Sequence, residues 1–336
     1  MSSAAARQIL IVKLSSLGDV IHAMPVVADL RAALPGVQID WVAEPGFAPL
    51  VRRVEGVRDV LDCAQRRWRK RWWCADVRRE KQAFRERLRG RRYDAVIDLQ
   101  GLTKSALVAW QARLAPGGAR IAIGNATEGS GWEAPTRWVA DRPIAVEPHI
   151  HVVDRSRRVC AEAFGYALAG PPHFGLRARP AQPVGRTVVF VHGTSRDDKL
   201  WPEAHWIALG RELVGRGWRI AMPQADDDEA RRAERIAAGI DPASCDLWPR
   251  MSLDALVDRF GATQGVIGVD SGLSHLAVAL DLAHVQLYNF PTAWRTGPLP
   301  SHGHRHQCSV GGAQVPTLDA VSAAWCEVAQ AAGIAP

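Results

Sequence analysis

Ile9-Leu10-Ile11-Val12-Lys13-Leu14-Ser15-Ser16-Leu17-Gly18-Asp19 is a short apolar run that stops at a lysine and turns through small polar residues. Bounded by a turn signal and rich in β-branched side chains, such a run reads as a strand covered on both faces. Residues 15–18 form a tight loop, and residues 20–33 carry helical spacing that ends before Pro35-Gly36. Strand, loop and helix in that order open a parallel sheet covered by helices.

Outward from this unit, strands are predicted at residues 38–43, 57–61, 95–99 and 120–123, with helical patterns between them. The plan then repeats. Strands are expected at 187–191, 219–222, 265–269 and 284–288, and helices at 202–216, 228–238, 253–261 and 274–279. Arg177-Ala178-Arg179-Pro180-Ala181-Gln182-Pro183-Val184-Gly185 is polar and broken by proline, as a linker is. The expectation is an α/β protein of two facing Rossmann-like domains with parallel sheets. The boundaries expected are an N-terminal domain at 1–176, a linker at 177–186 and a C-terminal domain at 187–316. A final helix within 317–336 is expected to pack back on the N-terminal domain. In open sheets of this kind ligands bind beyond the carboxyl ends of the strands, which directs the search to residues 15–19, 192–199 and 270–275.

The chain has 336 residues, 47% of them hydrophobic and 23% charged, enough for two packed cores and unlike a disordered polymer. No segment approaches ~20 uninterrupted apolar residues, and the first apolar run is shorter than a signal-peptide core. A cytosolic protein is expected, attached to a membrane at most from outside the bilayer. Six cysteines lie scattered without a C-x-x-C pair, so neither disulfides nor zinc are expected. His302-Gly303-His304-Arg305-His306 has no carboxylate pair beside it and reads as a loop; no metal is assigned.

Charge is concentrated. Residues 66–92 hold thirteen Lys or Arg against Asp76, Glu80 and Glu86, a local charge of +10 in a chain whose net charge is +7. Everything else is therefore slightly acidic, and the basic stretch marks a meeting with nucleic acid, an anionic lipid surface or a phosphorylated small molecule. Trp68 and Trp72 stand four residues apart, which predicts one helix face packed on the domain, with Arg66, Arg69 and Lys70 on an exposed neighbouring face. Phe84 and Leu88 repeat the spacing and predict an amphipathic helix with a solvated basic side.

Three loops carry candidate chemistry. Asp19 falls near a helix N-terminus, where it is either a base or a cap for free backbone amides; the residues alone leave both open. Asp270-Ser271-Gly272-Leu273-Ser274-His275 closes a strand and opens a helix, a place where amides can face a diphosphate. Thr194-Ser195-Arg196-Asp197-Asp198-Lys199 follows another strand, and Lys199 is either a counter-charge for a leaving phosphate or part of a solvated loop. Neither a P-loop nor G-x-G-x-x-G occurs, which argues against an NTPase and a dehydrogenase.

In combination these segments resemble the bacterial lipopolysaccharide heptosyltransferases of glycosyltransferase family 9, most closely those that add the first heptose. The residues that carry the likeness are 11–20, Arg66-Arg67-Trp68-Arg69-Lys70, 93–102, Arg196-Asp197-Asp198-Lys199-Leu200-Trp201-Pro202 and 270–275. The likeness covers nearly the whole chain. It implies a GT-B fold, ADP-L-glycero-β-D-manno-heptose as donor and Kdo2-lipid A as acceptor, with no metal cofactor. It also implies work at the cytoplasmic face of an anionic inner membrane. It makes Asp19 the general base and Lys199 the stabiliser of the departing ADP. Thr194, Ser195, Lys199, Glu229, Met251, Asp270, Ser271, Gly272 and His275 become donor-binding, and Arg66, Arg69 and Lys70 acceptor-binding. Residues 289–294 depart from the family's usual pattern, and residues 117–132 match it poorly. Since the base lies in one half and the donor loops in the other, the halves are expected to approach for transfer. The alternatives are a family 9 enzyme acting at a later core position and, from a different class, a nucleic-acid-binding protein using the basic stretch.

Overall fold

The computed structural model describes residues 7–179 and 184–335; residues 180–183 of the expected linker lie outside it. Contacts divide the chain into two compact units, Met1–Leu176 and Arg177–Pro336. The first holds β1 (Gln8–Val12), β2 (Gln38–Ala43), β3 (Val57–Asp62), β4 (Arg92–Asp98), β5 (Arg113–Ile123) and β6 (Arg142–Ile144). They pair in the order β3-β2-β1-β4-β5-β6, every pair parallel. The second holds β7 (Thr187–Val191), β8 (Arg219–Met222), β9 (Cys245–Leu247), β10 (Gly265–Val269), β11 (Ala283–Tyr288) and β12 (Gln307–Gly311). Their order is β12-β11-β10-β7-β8-β9, again all parallel. Numbered within its own unit, each sheet runs 3-2-1-4-5-6, the doubly wound Rossmann order.

That order fixes where the chemistry lies. The winding reverses between β1 and β4 in one unit and between β7 and β10 in the other, and the crevice beyond those strand ends is the ligand position of such folds. Val12 is in register with Asp98, and Val191 with Gly268. The chain segments that leave each strand pair therefore start side by side.

The expected helix at residues 20–33 is two helices, Leu17–Ala23 and Pro25–Ala33, divided at Met24. Pro25 has no N–H to give the turn before it and is instead suited to the first position of a new helix. Residues 142–144, 245–247 and 307–311 form strands not foreseen in sequence. The first two are three-residue edge strands, too short to display a period. The face shared by Trp68 and Trp72 is also corrected: the helix Gln65–Lys70 ends before Trp72, which is exposed while Trp68 is buried. The helix Ala75–Arg89 does bury Val77, Phe84 and Leu88 and leaves its basic side in solvent.

The core of the second unit is rich in tryptophan. Trp201, Trp206, Trp218 and Trp325 pack with Phe190, Val285 and Leu287. The C-terminal helix Leu318–Ala331 buries Val321, Trp325 and Val328, setting Trp325 edge-on to Trp218 at 5.4 Å. Gly265 makes room for that indole, since a Cβ there would lie 2.5 Å from Trp325. No helix among the described residues is long and apolar enough to cross a membrane. Removing the Trp325 side chain leaves a cavity that β11 and Trp218 cannot close. Trp325→Ala is expected to lower unfolding stability by about 3–5 kcal/mol in denaturant titrations.

Candidate active site

At the end of β1 the chain buries a lysine. Lys13 is 1% exposed; its Nζ donates to the Leu99 carbonyl at 3.0 Å and lies 3.4 Å from Asp19 Oδ1. Burial lowers the Lys13 pKa against the pull of the Asp19 carboxylate, which raises it. Asp19 is the third residue of the helix Leu17–Ala23, and its Oδ2 accepts from the Ser16 N–H at 3.1 Å and the Ser16 hydroxyl at 2.8 Å. The cap reading is thus correct for one oxygen. The other faces Lys13, and the side chain keeps 39% of its exposure. Burial works against the Asp19 charge, but Lys13, the two Ser16 bonds and Arg155 outweigh it and hold the carboxyl at about 2.

The loop after β4 locks this geometry, and sequence reasoning gave it no role. Gln100 accepts from the Leu14 and Ser15 amides at 2.9 and 3.2 Å and donates to the Ser15 carbonyl at 2.6 Å. Asp98 accepts from the Gln100 and Gly101 amides at 2.8 and 3.1 Å and from the Ser105 hydroxyl at 2.9 Å. Burial nevertheless pushes Asp98 up to about 6, because those three bonds only partly offset the loss of water. The available signal was positional: two polar residues at the end of a strand that neighbours β1.

Arg66 and Arg69 line a cavity of about 770 Å³ together with Trp72, Lys81, Arg85 and Lys104. Lys104 ties the cavity to the Asp19 loop, donating to Ser15 Oγ at 3.1 Å. Lys70, on the same helix, is exposed and outside that lining. Lys104 is the cation that the basic-stretch argument missed, since it lies beyond residue 92.

In the second unit Lys199 ends the turn Asp197–Lys199 and places Nζ 2.5 Å from Asp270 Oδ2. His275 Nε2 lies 3.5 Å from the other oxygen, and Thr194 Oγ1 donates to the Asp270 carbonyl at 3.2 Å. Burial again opposes the charge, but His275 and Lys199 hold Asp270 well below the usual carboxylate range. Ser271 stands at the N-cap position of the helix Gly272–Ala279, and its hydroxyl makes no cap bond there. Glu229, in the first turn of the helix Asp227–Ile240, accepts from the Ala225 amide at 2.7 Å and lies over Gly193, where a Cβ would come within 2.2 Å of its carboxylate. Thr194, Lys199, Asp270 and His275 are thus linked, with Glu229 against the same loop; Ser195 is exposed, and Met251 is half-buried ahead of the helix Leu253–Gly261. The departing segment at 289–294 has a definite place. Asn289 donates to the Asp198 and Leu200 carbonyls at 2.9 and 3.0 Å, clasping the two peptides that flank Lys199.

Two doubly wound units, each with a charged pair beyond its winding reversal, have the architecture of GT-B glycosyltransferases. Residues 81–322 match glycosyltransferase family 9 (heptosyltransferase). Lipopolysaccharide heptosyltransferase 1 of Escherichia coli K12 is 39% identical over 292 residues, 84% of this chain and 87% of that protein. Lipopolysaccharide heptosyltransferase 2 of the same strain is 26% identical, over 89% of this chain and 87% of its own length. The E. coli heptosyltransferase WaaC solved with ADP superimposes with a TM-score of 0.82 at 34% identity, covering 94% of this chain and 98% of that one. WaaC with ADP-2-deoxy-2-fluoro heptose gives 0.73 at 36%, covering 83% and 88%. The chain belongs to glycosyltransferase family 9 and is a heptosyltransferase.

Asp98 yields a test of the locked loop. Its folded-state pKa of about 6 lies above the ordinary 3.8, so the folded protein holds the proton more tightly than the unfolded chain. Its contribution to stability is fully present below the unfolded value and is lost as pH rises through about 6. Asp98→Asn, neutral throughout, is expected to flatten that part of the stability profile between about pH 4 and 6, as read by urea midpoints across that window.

Proposed function

We propose that the protein moves L-glycero-D-manno-heptose from ADP-heptose to the first Kdo of Kdo2-lipid A, building the lipopolysaccharide inner core at the cytoplasmic face of the inner membrane. The N-terminal unit takes the acceptor and the C-terminal unit the donor. The observation that carries the assignment of roles is the split carboxylate of Asp19: Ser16 fixes one oxygen, the other faces a buried cation, and the side chain as a whole stays partly exposed. Higher identity to heptosyltransferase 1 than to heptosyltransferase 2 of one organism supports the choice of the first transfer.

The reaction is a single inverting displacement. The Kdo hydroxyl oxygen attacks the anomeric carbon as the bond from that carbon to the diphosphate oxygen breaks, and Asp19 takes the hydroxyl proton. ADP leaves with its new negative charge, which Lys199 meets at the phosphate; a fixed cation at the point of developing charge lowers the barrier most. On this reading the charge at the diphosphate is balanced by Lys199 rather than by a metal ion. Binding of the diphosphate gives Lys199 a second anion in place of its Asp270 partner. Asp270, Ser271, Gly272 and His275 line the diphosphate and sugar, Thr194 and Ser195 the donor loop, and Glu229 and Met251 the ribose and adenine. Arg66, Arg69 and Lys70 grip the carboxylates and phosphate of the acceptor, a task suited to the planar fork of arginine.

Asp19→Ala is expected to reduce turnover ~10²–10⁴-fold while ADP-heptose still binds, the range typical of a lost general base. A coupled ADP-release assay beside a donor-binding titration measures both, and ordinary turnover by the variant rejects the role. Replacing Arg66, Arg69 and Lys70 together with Ala is expected to raise the acceptor KM at least tenfold, about 1.4 kcal/mol of binding, with the donor KM unchanged. Equal rises in both constants reject the acceptor assignment. The same assay run with Kdo2-lipid A against an already heptosylated core separates the first transfer from a later one.

A further inference from the structure

Beside the acceptor cavity lies a separate groove of about 600 Å³ between the helices Ala75–Arg89 and Thr103–Gln111, and Arg85, Leu107 and Gln111 border both. Large apolar side chains stand exposed around the two: Trp72 and Leu107 line the cavity, and Leu107 and Trp110 line the groove. Trp72, Trp73, Leu107 and Trp110 are each 51–66% exposed. Trp72 packs edge-on to Trp73 with ring centres 6.0 Å apart, and Leu107 and Trp110 are one helical turn apart on one face of their helix. Single exposed apolar residues need no explanation, but a cluster beside a groove marks an interaction surface.

The charge around the cluster is selective. Arg67 pairs with Glu80, Arg71 with Asp76, Arg87 with Asp59, and Arg91 with Asp40 and Asp59. Arg69, Lys70, Arg79, Lys81 and Arg89 carry no ion-pair partner among the described residues, and Arg66 has only Glu44 nearby. Unpaired cations beside exposed indoles match the boundary of an anionic bilayer, where tryptophan settles at the headgroup level and each Lys or Arg is drawn to acidic lipid. A nucleic acid fits less well: Leu107 offers a base nothing to stack on, and the Trp72–Trp73 pair is closed edge to face.

We propose that Trp72, Trp73, Leu107 and Trp110 form a rim that seats in the interface of an anionic phospholipid bilayer. The phosphorylated head of the acceptor then enters the basic cavity while its acyl chains remain in the membrane. The proposal rests on the acceptor reading above and names the surface through which that acceptor arrives.

The test uses the full chain and the double variant Trp73→Ser/Trp110→Ser, neither residue lying in the lining of the acceptor cavity. Sedimentation is measured with phosphatidylcholine vesicles, with and without phosphatidylglycerol. Turnover is measured with Kdo2-lipid A embedded in those vesicles and with its deacylated, water-soluble form. The wild-type chain is expected to bind only the vesicles that contain phosphatidylglycerol, and the variant about tenfold more weakly, as loss of interfacial indoles implies. The kcat/KM for embedded acceptor falls by a similar factor, and that for soluble acceptor stays within about twofold. Wild-type binding that the variant matches, an equal loss on both acceptors, or tight oligonucleotide binding at physiological salt without vesicle binding each overturn the proposal. If neither acceptor is turned over by the wild type, the transferase reading fails, and the vesicle arm alone still decides the rim.

Discussion

A cation stands against a carboxylate at the winding reversal of each unit: Lys13 with Asp19 in the first, Lys199 with Asp270 in the second. This pairing is the constraint around which the two crevices are built. Strand ends at a winding reversal leave amides and carbonyls that no neighbouring strand satisfies, and the loops meet that demand with side chains. A lone charge placed there is costly, because burial removes its water. The partner makes the charge tolerable, and surrounding hydrogen bonds then fix its direction. Gln100 does this for the β1 loop and Asn289 for the β7 loop, each clasping backbone rather than charge. In both units the neutral amide sets the loop, and the ionic groups are left to pair with each other.

The electrostatics bear on how the proposed base works. A carboxyl held at about 2 is ionised throughout the neutral range, so Asp19 is ready to accept a proton, yet it is a weak base. A weak base contributes little to removing a proton from a resting hydroxyl, whose pKa is far above its own. The hydroxyl becomes strongly acidic only as its oxygen bonds to the anomeric carbon. On the proposed reading, proton transfer to Asp19 therefore comes late in the displacement, after bond making is advanced. Before that point, on the same reading, Asp19 orients the hydroxyl and balances Lys13. Lys13, buried and fixed to the Leu99 carbonyl, holds Asp19 in place while weakening it as a base.

The sequence pattern was legible where burial imposed a period or a run. β2, β7, β8 and β10 fall at the expected residues because each is a compact apolar segment between turn signals. Legibility failed where the cause was not local. Pro25 is tolerated because it takes the first position of a second helix, where its missing N–H is not needed. Arg142-Pro143-Ile144 becomes a strand because β5 offers a free edge, which no window of residues announces. In the candidate site, Asp19, Lys199 and Asp270 could be singled out because strand-end loops concentrate ligand contacts in this fold. Gln100 and Asn289 could not, because a clasp on backbone carbonyls has no residue signature; it exists only once two loops are adjacent.

The basic stretch shows why net charge is a poor guide to a surface until the pairs are known. Arg91 is turned inward to the fully buried Asp40, which also accepts two bonds from Arg58 and one from the Tyr93 hydroxyl. Arg87 joins the same group through Asp59. Arg91 serves the sheet, since removing it would leave the buried Asp40 short of a partner, the costly form of a broken pair, whereas Arg87 reaches only the half-buried Asp59. The charge that remains available to a ligand is drawn from Arg66, Arg69 and Lys70 and from the exposed side of the helix Ala75–Arg89, with Lys104 added from outside the stretch. The field an anionic acceptor meets is thus narrower than +10 and is focused on the cavity mouth, because low-dielectric walls of Trp68, Phe84 and Val108 stand behind it. Such focusing favours a compact, multiply charged headgroup over an extended polyanion, which needs its cations spread along a line.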